Sequence, residues 1–184
     1  MSRKIENKGE VFAWSMYDFA NQPFTNLVVT FIYGTFFTTV IASNEIVGTQ
    51  QWSYAISITA IIVALSSPLM GALADRGGYR KMFMLGFTWL TIIATTVLYF
   101  VMPGEVLGAL FWFVIANVGF EMGSVFCNAY LPDISHSKNI GRISGYGWSL
   151  GYVGGLIALA LAMVFLVQTD TPIFGFGKGE AGGY

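Results

Sequence analysis

The sequence predicts an all-α, polytopic membrane bundle of five transmembrane helices. Three observations carry that prediction. Hydrophobic residues make up 55% of the 184 residues and charged residues only 10%, against about 25% charged in an average soluble domain. The charges fall in short clusters separated by five long apolar runs. A hydrocarbon core about 30 Å thick needs about 20 apolar residues as helix, and each run meets that need.

The first ten residues, 1–10, are polar and are expected to form a terminus outside the bilayer. The apolar run after them is too long for the core of a cleaved leader, so none is expected. The bundle is expected over 11–169, with helices at about 11–42, 52–74, 82–102, 106–132 and 143–169. The first run contains one charge, Asp18, and the fourth one, Glu121; the second, third and fifth contain none. Backbone groups in lipid must be satisfied within the segment, so each run is a helix. The runs are too long for barrel strands and lack alternation of period two. The Gly-rich segment 170–184 cannot span and reads as a tail or truncated loop.

The connections set the orientation. Arg3, Lys4 and Lys8 precede helix 1; Arg76, Arg80 and Lys81 separate helices 2 and 3; Lys138 and Arg142 separate helices 4 and 5. The alternate loops, 43–51 and 103–105, carry no Lys or Arg. Basic residues stay on the cytoplasmic flank, so the N-terminus is expected there. Trp14, Trp52 and Trp148 fall near expected helix ends and read as interfacial anchors. Small residues form rows that let helices approach closely in lipid: Gly147, Gly151 and Gly155 on helix 5, and Ala60, Ala64, Ser67 and Gly71 on helix 2.

Net charge is −1, so nucleic acid is not an expected partner. One cysteine, Cys127, and one histidine, His136, exclude an intrachain disulfide and a two-His or multi-Cys metal site. No cofactor is implied. No phosphate-binding loop, HExxH or Gly-x-Ser-x-Gly is present, so the sequence supports neither an ATPase nor a familiar membrane protease.

Polar residues inside the runs are the candidates for binding a solute or a coupling ion. Asp18, Asn21 and Gln22, with Thr25, recur on one face of helix 1. Asn117, Glu121 and Asn128, with Ser124, recur on one face of helix 4. A charge at mid-bilayer costs a few kcal/mol on the gentlest scale, so each acid is expected to face the bundle or water. Pro23 can loosen helix 1 beside them and free a carbonyl for a ligand. The structural alternative is that Asp18 pairs near the interface and Glu121 sits protonated and hydrogen-bonded. His136 reads as a loop histidine and Cys127 as a packing residue.

The turn between helices 2 and 3 holds Gly71, Asp75, Arg76, Gly78, Arg80 and Lys81. This stretch resembles the signature loop of the major facilitator superfamily, with Tyr79 standing where many members place a first basic residue. The opening of helix 1, Trp14-Ser-Met-Tyr-Asp18-Phe-Ala-Asn21-Gln22-Pro23, and the segments Asn128–Ile134 and Gly141–Gly155 are similar to its vacuolar-effluxer-like, autophagy-related branch. The resemblance covers about residues 11–169. It implies the N-terminal half of a major facilitator fold, with the loop gating the cytoplasmic side. It also implies alternating-access transport of a small-molecule substrate, amino-acid efflux among the possibilities, and helix 3 at the periphery. A complete member has twelve helices, so a missing C-terminal half is the expected protein partner besides the lipid bilayer. Residence in the cell membrane, or in the vacuolar membrane of a fungus, follows from the same resemblance. The rival reading is a non-transporting remnant or scaffold that only assembles with partner helices.

Overall fold

The computed structural model describes residues 8–167. The expected tail 170–184 and the basic residues Arg3 and Lys4 lie outside the described residues. All regular elements among the described residues are helical, and five are long and apolar enough to cross a membrane. We label them α1 (Lys8–Ile41), α2 (Glu45–Gly77), α3 (Arg80–Leu98), α4 (Val106–Asn128, carried on by the single turn Leu131–Ile134) and α5 (Ile140–Phe165).

Helix α1 is not one regular α-helix. After Lys8–Phe24 it widens into π-helical turns at Thr25–Phe31 and again at Phe37–Ile41, with a bend at Ile32 between them. Pro23 has no N–H for the carbonyl of Phe19. The β-branched run Val28-Val29-Thr30 crowds the turns that follow.

Helix α2 begins at Glu45, well before the expected 52. The cause is a cap: the Asn44 side chain accepts the Val47 N–H at 2.9 Å, and Glu45 lies in the first turn, where the helix dipole favours an acid. The other end of α2 stops at Gly78, whose φ of 66° is left-handed. The Gly78 and Tyr79 N–H groups both turn back to the Ala74 carbonyl, a glycine-terminated helix stop. Helix α4 proper ends at Asn128, short of the expected 132, because Pro132 cannot continue the ladder.

The helices pair α1 with α5 and α3 with α4, and α2 lies along α4. Four apolar clusters fill the joints. At the end away from the basic loops, Phe37, Ile41, Trp52, Leu98 and Phe113 pack together. At the basic end, Val11, Trp14, Cys127 and Ile143 do the same. Phe24 stacks on Phe120 at 5.0 Å where α1 crosses α4.

Two of the three expected interfacial tryptophans are core residues. Trp52 is 8% exposed, donates its indole N–H to the Val29 carbonyl at 3.2 Å and packs against the tilted ring of Phe113, with centroids 3.9 Å apart. Trp14 is 7% exposed and donates to the Cys127 carbonyl at 2.9 Å. Trp148 alone lies on the surface, 64% exposed. That surface is otherwise greasy: Ile46, Leu65, Leu69, Leu107 and Leu156 all point outward. An apolar surface of this extent belongs against lipid or more protein.

Candidate functional site

The polar face of α1 lies where α1 meets α4 and α5. Asn21 donates to the Ser124 hydroxyl of α4 at 3.2 Å. One turn earlier, Tyr17 and Thr88 hydroxyls are 2.9 Å apart. Thr88 gives its own proton to the Met84 carbonyl at 2.8 Å, so Tyr17 is the donor to Thr88.

Asp18 and Gln22 turn to α5 instead. Both are half-buried. A Cβ built on Gly147 would lie 2.9 Å from Asp18 Oδ2, and one on Gly151 would lie 3.6 Å from Asp18 Cβ. A Cβ on Gly155 would meet Gln22 Cγ at 3.2 Å and collide with the Asn26 amide. The glycine row of α5 thus packs on the polar face of α1, as a small-residue row should. Gly154 sits directly on the Phe19 carbonyl. That is the carbonyl Pro23 deprives of its usual donor. It is covered by α5, where the sequence suggested a carbonyl open to a ligand.

On α4 the expected row divides. Asn117 is buried and Ser124 half-buried, whereas Glu121 and Asn128 are exposed. A helix turns about 100° per residue, so 117 and 124 lie on one edge of the stripe and 121 and 128 on the other. Glu121 therefore occupies a flank of α4 that no described helix covers.

The loop between α2 and α3 is organised by Arg80. Its Nε donates to Asp75 Oδ1 at 2.6 Å and its Nη1 to Asp133 Oδ2 at 2.8 Å. Nη1 is also 3.3 Å from the Ala129 carbonyl. One guanidinium ties the end of α2, the start of α3 and the end of α4 together. Arg76 and Lys81 are exposed. Gly71 is half-buried, and a Cβ added there would meet nothing within 4 Å.

Sequence reasoning missed a second glycine pair. Gly119 and Gly123 of α4 are buried against α3 and Tyr17. A Cβ at 119 would lie 2.6 Å from Thr91 Oγ1 and 2.9 Å from the Phe87 carbonyl, and one at 123 would lie 2.8 Å from the Tyr17 hydroxyl. The Gly-x-x-x-Gly spacing in the sequence is the signal that would have found it. Helix α3 accordingly turns Thr88 and Thr91 inward; Thr91 is buried, with its hydroxyl 3.0 Å from the Phe87 carbonyl and 3.3 Å from that of Ala116. The expected small-residue row of α2 behaves differently. Ala60 and Ala64 are exposed, and Ser67 and Gly71 only half-buried.

Comparison with known proteins narrows what this arrangement belongs to. The family described as "Vacuole effluxer Atg22 like" matches residues 40–176. The MFS-type transporter YxiO of Bacillus subtilis is 29% identical over 164 residues, which are 86% of this chain and 38% of that one. A protein of Aquifex aeolicus is 32% identical over 161 residues, again 86% of this chain and 39% of its own. Autophagy-related protein 22 of Coccidioides immitis is 35% identical over 79 residues, 43% of this chain and 13% of its own. The chain thus spans about two fifths of the length of these bacterial relatives. No solved structure matches.

Proposed function

The chain belongs to the vacuole effluxer Atg22-like family, and from that premise we propose that it is part of a secondary transporter moving small solutes by alternating access. It is an integral, multi-pass membrane protein. The observation that most supports transport is the placement of Glu121. A carboxyl at membrane depth on a flank facing lipid costs a few kcal/mol. That flank should therefore meet water or further protein, as the wall of a solute pathway does. Asn128 shares the flank, while Asp18, Asn21 and Gln22 lie apart from it, where α1 meets α4 and α5.

In this proposal the rest of a longer protein supplies the opposing half, and rocking between halves opens the pathway to each side in turn. The row of α2, exposed at Ala60 and Ala64 and half-buried at Ser67 and Gly71, is the face on which a helix of that half would rest. The basic loops lie in the cytoplasm, and the loop centred on Arg80 gates that side. Amino acids are the proposed solutes, on the resemblance to the autophagy-related branch.

The test uses a protein carrying the additional helices, reconstituted in proteoliposomes. Glu121→Gln should lower proton-coupled solute flux by about tenfold or more at unchanged abundance, since one lost charge interaction of 1.4 kcal/mol is a factor of ten. Flux unchanged by Glu121→Gln overturns the coupling role. A thermal-shift scan over amino acids tests the solute class, and no stabilisation by any of them removes it.

A further inference from the structure

Among the glycines of α5, Gly147 stands in an unusual place: it faces a carboxylate. An added Cβ would lie 2.9 Å from Asp18 Oδ2 and within 2.8 Å of two atoms of the Trp14 ring. The ring has little room to yield. Its indole N–H is tied to the Cys127 carbonyl at 2.9 Å, and it packs with Val11, Cys127 and Ile143. With the ring held, a methyl at 147 must displace either the carboxylate or the whole of α5. Gly151, one turn on, makes the contrast: its added Cβ would sit at 3.6 Å from Asp18 Cβ, an ordinary contact. Gly154 is the opposite control, since its added Cβ would strike the Phe19 backbone carbonyl, which a side-chain rotation cannot relieve.

We infer that Gly147 is a positioning residue for Asp18, its bare backbone being what lets the carboxylate lie in the α1–α5 seam rather than swing to the open side of α1. The inference deepens the proposed transport reading, in which Asp18 is one of the candidate solute or coupling groups. It is tested by a readout that does not need transport.

The full 184-residue chain in detergent is treated with a membrane-permeant carbodiimide at one fixed pH, and the adduct at Asp18 is followed by peptide mass spectrometry. Gly147→Ala should speed Asp18 labelling several-fold, because the carboxyl leaves the seam. Gly151→Ala should leave the rate within about twofold, as expected for an ordinary van der Waals contact. Equal labelling rates in wild type and Gly147→Ala overturn the inference. If Gly147→Ala lowers abundance, the comparison is repeated in a Trp14→Phe background, which removes the ring atoms nearest the new methyl. There Gly147→Ala must still speed labelling over Trp14→Phe alone, and failure to do so overturns the inference equally. Faster labelling with unchanged solute flux in the longer protein would sink the role of Asp18 in transport and leave the positioning inference standing.

Discussion

At the scale of single residues, burial reverses the obvious reading of two tryptophans. Trp14 and Trp52 stand near expected helix ends, where an indole usually anchors at the lipid interface. Each instead donates to a backbone carbonyl of another segment, Cys127 or Val29. Trp14→Phe loses the bond and the outer part of the indole, while the Cys127 carbonyl keeps the Tyr130 N–H at 3.1 Å, so it should destabilise by about 1–3 kcal/mol, from one net hydrogen bond and the space the smaller ring leaves; reversible unfolding in mixed micelles measures it. Gly71 and Gly78 should separate in the same assay. Gly78 holds a φ of 66°, so Gly78→Ala should cost about 1–2 kcal/mol. Gly71 has open space around its missing Cβ and lies within α2, so Gly71→Ala should be neutral or stabilise by up to about 1 kcal/mol. Both glycines were legible in the sequence as parts of one motif. Their different physical jobs were not, because conformation and clearance are set by the surroundings.

At the scale of elements, the helix pairs are zipped by glycines facing backbone. Gly154→Ala drives a methyl into the Phe19 carbonyl, and Gly119→Ala places one 2.9 Å from the Phe87 carbonyl. Each should destabilise by about 1–3 kcal/mol, as overpacking does, while Gly145→Ala, with nothing within 4 Å, should not. A thermal series on the three variants checks the ranking; equal midpoints would show that the seams have room for a methyl. Arg80 acts at the same scale, joining three helix ends. Its two carboxylate partners are more than half exposed, and such pairs are worth about 0–1 kcal/mol each. Arg80→Ala should therefore cost only about 1 kcal/mol in stability. A much larger effect on flux than on stability in the longer protein would mark the loop as a gate rather than a strut. The sequence showed the α5 row and its α-helical spacing. It could not show that the row meets Asp18, Phe19 and Gln22, because spacing defines a face and leaves its partner open.

At the scale of the whole molecule, two predictions follow from the proposed topology. A Tyr79→Cys probe in a Cys127→Ser background should react with a membrane-impermeant thiol reagent only from the cytoplasmic side of sealed vesicles; reaction from outside in intact cells would overturn the orientation. The α2 row should behave differently in chain and longer protein. Ala64→Leu, at an exposed position here, should leave the stability of the 184-residue chain within about 0.5 kcal/mol. In the longer protein it should lower abundance or flux, and indifference there would remove α2 from the proposed contact between halves.

Length and charge by themselves determined that five helices are long and apolar enough to cross a membrane, since lipid tolerates neither an unsatisfied backbone nor a scattered charge. The motif at residues 71–81 and those of helices 1, 4 and 5 supplied, by resemblance, the expectation of the family that the comparison then showed. Helix limits depended on local chemistry that apolar runs do not report, as at Asn44, whose side chain starts α2 early. Only the tertiary structure decided which acid lies in a seam and which on a flank. Asp18 and Glu121 look alike in sequence, each a lone acid in an apolar run. Their environments differ because α5 offers Asp18 bare glycine backbone, while no described helix covers Glu121.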